Sequence, residues 1–133
     1  MKPVFADTSY YVALLSQADA CHGKAVDVSR TLRRPVVVTE FVLLELGNAL
    51  SRADARQLFI SMLRHLRSEP HVVVVPASPE LFDRGCDLYA RRSDKDWSLT
   101  DCISFVVMEE RGLSDALTTD HHFEQAGFQV LLK

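Results

Sequence analysis

The sequence predicts an α/β three-layer sandwich, a mostly parallel sheet of about five strands with helices on both faces. Short β-branched runs alternate along the chain with longer stretches of helical periodicity. Two of the runs, Val36-Val37-Val38 and Val72-Val73-Val74-Val75, are apolar at consecutive positions rather than alternate ones. Strands buried on both faces read this way, and they occur in parallel sheets. The length of 133 residues fits one domain over residues 1–133, since domains usually run about 100–150 residues.

The elements follow in order. Pro3–Ala6 is the first strand, and the helical stretch from Thr8 to about Arg34 breaks near Ala18–Gly23. Val36–Thr39 is the second strand. Between Thr39 and Arg67 there is room for two helices, hinged near Ser51–Asp54. Strand Val72–Pro76 leads to Ser78-Pro79-Glu80, a capping oxygen before a proline at the first helical position, which opens a helix to about Arg92. Ser98-Leu99-Thr100-Asp101 has the form of a capping box, and Gly112 stands where a left-handed cap would close that helix. Strand Ala116–Thr118, a short helix His121–Ala126 and strand Phe128–Leu132 complete the chain. In such sheets ligands sit beyond the carboxyl ends of the strands, where strand order reverses.

Composition narrows the function. Hydrophobic residues make up 47% and charged residues 25%, ordinary values for a packed core. No apolar run approaches the ~20 residues of a membrane span. Met1–Ala6 is too short for the apolar region of a secretory signal, and an acid follows at Asp7. The three cysteines, Cys21, Cys86 and Cys102, are odd in number and scattered, which fits free thiols in a reducing cytoplasm. A net charge of −3 excludes a simple electrostatic nucleic-acid binder; RNA would need local basic patches or a metal. The five glycines are spread singly, so phosphate loops and a nucleotide cofactor are excluded. A serine hydrolase lacks its Gly-x-Ser-x-Gly elbow. A dehalogenase-type phosphatase would need Asp-x-Asp where the chain has Asp7-Thr8-Ser9, and a receiver domain would need an aspartate where it has Pro76-Ala77-Ser78.

Four carboxylates stand among apolar neighbours: Asp7 after the first strand, Glu45 within Phe41-Val42-Leu43-Leu44-Glu45-Leu46, Asp101 at the head of an apolar helix, and Asp120 after the fourth strand. Asp7, Asp101 and Asp120 could each serve as helix caps. Glu45 is expected among core residues, where an ionised carboxylate is costly without a partner. Strand ends and helix starts converge on one edge of this fold, so the four acids would repel one another unless a cation neutralises them. Oxygen donors alone favour Mg²⁺ or Mn²⁺ over Zn²⁺. The pair His121-His122 lacks the second pair that a closed zinc site needs.

Asp7-Thr8-Ser9, the mid-chain Glu45, Ser98-Leu99-Thr100-Asp101-Cys102 and Leu117-Thr118-Thr119-Asp120-His121-His122-Phe123 together resemble a PIN-domain ribonuclease, and more closely a bacterial VapC-type toxin of a toxin–antitoxin system. The resemblance covers nearly the whole chain. It implies a metal-dependent endoribonuclease in which Asp7, Glu45, Asp101 and Asp120 surround Mg²⁺ or Mn²⁺, a cognate antitoxin, and a homodimer. Asp7 and Asp101 are expected as the most direct ligands, Asp120 as a ligand directly or through water, and Glu45 as the group that orients a water or acts as base. The hydroxyls of Ser9 and Thr119 could hold waters or phosphate oxygens beside the metal, or serve as caps. Asp96 could assist from the outer shell or belong to a solvated loop. Trp97, the sole tryptophan, could stack on an unpaired base or anchor its loop. The other reading is a PIN module kept as an RNA-binding or interaction scaffold.

Overall fold

Val4–Ala6 (β1) lies at the centre of a five-stranded parallel sheet in the order β3-β2-β1-β4-β5, in a computed structural model that describes residues 1–133. The remaining strands are β2 (Val36–Thr39), β3 (Val72–Val75), β4 (Asp115–Leu117) and β5 (Gln129–Val130). Seven helices connect them: α1 (Thr8–Leu15), α2 (His22–Thr31), α3 (Glu40–Ala49), α4 (Arg56–Ser68), α5 (Pro79–Arg91), α6 (Leu99–Glu110) and α7 (His121–Gln125). This is the α/β sandwich that the alternating runs predict, with each break in the helical stretches where turn residues stand. No helix is long and apolar enough to cross a membrane.

One consecutive valine run departs from expectation. β2 is buried at Val37 and Val38, but β3 is the edge strand, and Val73 is 43% exposed. Four valines in a row therefore mark an edge here, because β3 has a neighbour on one side only.

The core is built outward from β1, whose three residues are all fully buried. Phe5 meets Phe123 at 6.3 Å between ring centroids, Phe123 meets the edge of Phe105 at 4.9 Å, and Phe105 meets Trp97 at 5.0 Å. This aromatic chain ties the sheet centre to α7, α6 and the loop before α6. Helix α5 crowds α6 at Gly85, where a Cβ would fall 2.2 Å from Ile103 Cγ1 and 3.3 Å from Ile103 Cα. Glycine thus permits a close approach that alanine would block.

Termini are set as the sequence predicts. Ser78 Oγ accepts from Leu81 N, with Pro79 in the first turn. Ser98 and Asp101 form a complete capping box. Gly112, at φ +65°, closes α6 as the Leu113 N–H donates to Met108 O at 2.8 Å and the Gly112 N–H to Glu109 O at 3.2 Å.

A carboxylate cleft as the candidate active site

The chain passes from β1 through β2 to β3 on one side of the sheet, then returns to place β4 on the other side of β1. Strand order therefore reverses between β1 and β4. A cleft of about 480 Å³ opens there, and six carboxylates line it: Asp7, Asp19, Glu45, Asp96, Asp101 and Asp120. Its one basic side chain is His122. All four acids of the expected set meet in this cleft, with Asp96 and Ser9 beside them.

Asp7 directly follows β1 and is 5% exposed. It stands at the N-cap of α1, yet its side chain makes no capping bond, so the cap alternative does not hold. Its Oδ2 instead accepts from Thr118 Oγ1 at 2.8 Å and from Ser9 Oγ at 3.0 Å. The two hydroxyl oxygens lie 2.9 Å apart and each accepts a backbone N–H, Ser9 from Thr119 and Thr118 from Asp120. Both hydroxyls can donate to Asp7, and either can donate to the other, so the three side chains form one network.

Asp101 does two things at once. Its Oδ2 accepts from Ser98 N at 3.2 Å, completing the capping box, and lies 3.1 Å from Nδ1 of His122. An ionised carboxylate only accepts, so Nδ1 carries the hydrogen. Asp120 caps α7, its Oδ1 accepting from His122 N at 2.9 Å. The pattern is shared: in each aspartate the side-chain and capping bonds gather on one oxygen and leave the other outside them, with the Thr8 N–H also favouring the Asp7 carboxylate. Asp7 Oδ1, Asp101 Oδ1 and Asp120 Oδ2 are the oxygens so left.

Electrostatics follows from this crowding. Burial pushes the Asp7 carboxyl from 3.8 up to about 6, the Thr118 and Ser9 hydroxyls pull it back, and the charge of Asp101 raises it again. Asp101 is also raised, by burial first and then by the charge of Asp120, against the Ser98 N–H and His122. The Thr8 hydroxyl, on a residue that lines the cleft, is buried without a protein partner. Free oxygen donors, mutually repelling carboxyls and an orphaned hydroxyl are what a hard cation would satisfy. One ligand atom each of Asp120, His121 and His122 also lie within 4.8 Å of one another, but His121 is exposed at the rim.

One expectation needs correction, and the structure adds to two readings that the sequence left open. Glu45 is half-buried on the cleft wall, and its neighbour Leu44 is 64% exposed; α3 rides on the rim rather than through the core. The hydroxyl that braces Asp7 alongside Ser9 belongs to Thr118, because β4 ends at Leu117 and turns Thr118 inward. Thr119 lines the cleft and contributes its backbone N–H to Ser9. Trp97 is 6% exposed and donates from Nε1 to Gln125 Oε1 at 3.0 Å, so it anchors its loop. Thr118, Asp19 and His122 escaped the sequence reading. A threonine at the buried end of an apolar strand, next to an acid, was the available signal, since such a hydroxyl must find a partner.

A parallel sheet that gathers carboxylates at its switch point defines the class. The PIN-domain profile matches residues 4–129, and the chain belongs to the PIN-domain family. Among individual proteins it is similar to the 23S rRNA-specific endonuclease VapC20 of Mycobacterium tuberculosis, with 28% identity over 125 residues, 94% of this chain and 95% of that protein. The crystal structure of that VapC20, described as a sarcin–ricin loop cleaving toxin, superimposes with a TM-score of 0.85 at 27% identity, over 94% of this chain and 95% of the other. FitAcB from Neisseria gonorrhoeae (TM-score 0.68, 16% identity, 96% and 95% coverage) and the DNA-bound VapBC2 from Rickettsia felis (TM-score 0.66, 11% identity, 96% and 96% coverage) share the fold.

Proposed function

We propose that the chain is a metal-dependent endoribonuclease, the toxin of a toxin–antitoxin pair. The observation that carries this is the set of three aspartates, each with one oxygen braced by side-chain and capping bonds and one outside them, in one cleft of a PIN fold. The likeness to a 23S rRNA endonuclease supports RNA as the substrate.

Asp7, Asp101 and Asp120 would hold Mg²⁺ or Mn²⁺, both hard ions that take oxygen ligands. Such a cation supplies a more acidic water and shields the charge that gathers on the phosphate. Glu45 has no protein hydrogen-bond partner and is free to orient a water or accept its proton. Ser9 braces Asp7 through Oδ2. Asp96, exposed on the rim, acts from the outer shell. An RNA substrate and three free thiols support a cytoplasmic place of work.

A cognate antitoxin would exploit the same charge, since an Arg or Lys on its docking segment would be drawn among the carboxylates. Tyr10 and Tyr11 near the cleft are core residues, at 6% and 2% exposure, and offer such a segment no apolar anchor. Leu44, Leu58 and Ile60 keep apolar surface in water and support a homodimer, which light scattering at tens of micromolar would register.

The test is cleavage of 23S rRNA, and of a stem-loop oligonucleotide with its sarcin–ricin loop sequence, with and without Mg²⁺ or Mn²⁺. The expected result is cutting by wild type only with metal, and none by Asp7→Asn. Metal-independent cutting, or equal cutting by both proteins, would overturn the proposal; no cutting at all would favour a scaffold.

A further inference from the structure

RNA brings one negative charge per phosphate, yet the acid cleft has a single basic side chain in its walls. Groups that hold the strand beside the scissile bond must therefore stand outside the cleft. Two of its wall residues, Asp96 and Ser98, are also walls of a second groove of about 920 Å³, which continues past them to Tyr89, Arg92 and Lys95. The two depressions share that edge.

The groups in this second groove are unequally engaged. Arg92 holds Asp94 with two bonds, Nε to Oδ1 at 2.9 Å and Nη2 to Oδ2 at 3.1 Å, and its guanidinium lies 4.8 Å from the centre of the Trp97 ring. Its charge and its planar face are both used. The Lys95 ammonium forms no ion pair and no hydrogen bond with the protein. Tyr89 is 54% exposed, and its ring stacks on no other ring. The groove therefore offers one uncommitted cation and one uncommitted aromatic face, next to a cleft built for a phosphodiester.

A nucleotide of single-stranded RNA presents those two needs together, a π-face and a phosphate. We propose that the groove of Tyr89 and Lys95 is a subsite for one unpaired nucleotide flanking the scissile phosphate, with its base on the Tyr89 ring and its phosphate on the Lys95 ammonium. The proposal rests on the ribonuclease reading of the acid cleft. It moves the base-stacking role from the buried Trp97 to a ring eight residues earlier, in the last turn of α5.

Steady-state cleavage of the same stem-loop oligonucleotide, at several salt concentrations, tests it with Tyr89→Ala, Tyr89→Phe and Lys95→Ala. Tyr89→Ala should raise KM about ten-fold with kcat unchanged, because one stacked base is lost. Tyr89→Phe keeps the ring and should match wild type. Lys95→Ala should raise KM and lower the slope of log KM against log salt by roughly one phosphate contact. Mn²⁺ binding, followed by electron paramagnetic resonance, should be the same in all three. Unchanged KM and slope in Tyr89→Ala and Lys95→Ala would overturn the proposal. So would unchanged kinetics together with loss of dimer or of antitoxin binding, which would make the groove a protein interface. Wild type inactive on RNA with either metal would remove the ribonuclease reading itself, and the subsite with it.

Discussion

Thr118 Oγ1 donates to Asp7 Oδ2 at 2.8 Å across a separation of 111 residues, and the same oxygen of Thr118 accepts the backbone N–H of Asp120 at 3.0 Å. One buried hydroxyl thus fixes the acid after β1 against the acid after β4. Removing the hydroxyl while keeping the shape, as Thr118→Val, leaves a buried N–H without an acceptor. The expected cost is about 1–3 kcal/mol of stability. Mn²⁺ affinity, measured by calorimetry, should fall about 10- to 100-fold, as when the partners of metal ligands are lost. Thr118→Ser should recover most of both. Equal Mn²⁺ affinity in Thr118→Val and wild type would reduce Thr118 to a packing residue.

The raised Asp7 carboxyl makes metal-free stability depend on pH in a definite direction. The folded protein holds this proton up to about pH 6, whereas the unfolded chain releases it near 3.8. The folded state therefore binds the proton more tightly. Its stabilisation is full below the unfolded value and is lost as pH rises through the folded one. Denaturant titrations in EDTA should show stability decreasing between about pH 4 and pH 6, by up to ~3 kcal/mol for a shift of this size. Asp7→Asn should flatten that slope. A wild-type profile that rises over the same interval would show that Asp7 ionises without penalty.

Metal should reverse the loss. Because protons and a cation compete for the same oxygens, the rise in Tm produced by Mn²⁺ should be large at pH 7.5 and fade below about pH 6.

Asp101→Asn separates the two duties of that side chain. The amide oxygen can still accept from Ser98 N, so the capping box persists, while the repelling charge is gone. Without metal, the Tm of this variant should equal or exceed that of wild type, and the Mn²⁺-induced shift should be absent. A fall in metal-free Tm as large as the fall with metal would mark Asp101 as structural only.

Gly85→Ala tests the packing that carries Asp101. Alanine is favoured over glycine inside a helix by about 1 kcal/mol. Here its methyl would meet Ile103 at a distance no carbon pair tolerates. Overpacking of this kind costs about 1–3 kcal/mol, so thermal denaturation should show no gain and a net loss. Stabilisation by Gly85→Ala would mean that α5 and α6 are farther apart than described.

Element order and cap chemistry were legible because they are local. Ser78-Pro79, Ser98 with Asp101, and Gly112 act through their own backbone and a partner within a few residues, so composition and spacing are enough to read them. Asp7, Glu45, Asp101 and Asp120 were legible as a set, because each stands among apolar neighbours in the sequence and follows a strand or rides a helix at one edge.

Other features depended on what stands across the fold. Four consecutive valines read as buried, and only strand order shows that β3 has no second neighbour. The periodicity of α3 cannot tell a core face from a cleft wall, so Glu45 was placed too deep. Thr118 and Thr119 are interchangeable in sequence; the turn after Leu117 decides which hydroxyl reaches Asp7. Trp97 looked available for stacking until Gln125, from the far end of α7, took its N–H. The sequence alone determined which groups carry charge and where the chain must turn, since these are properties of single residues and their near neighbours. Which oxygen of Asp7 is braced was decided by Thr118, 111 residues away, a contact that exists only once the sheet has brought β1 and β4 side by side.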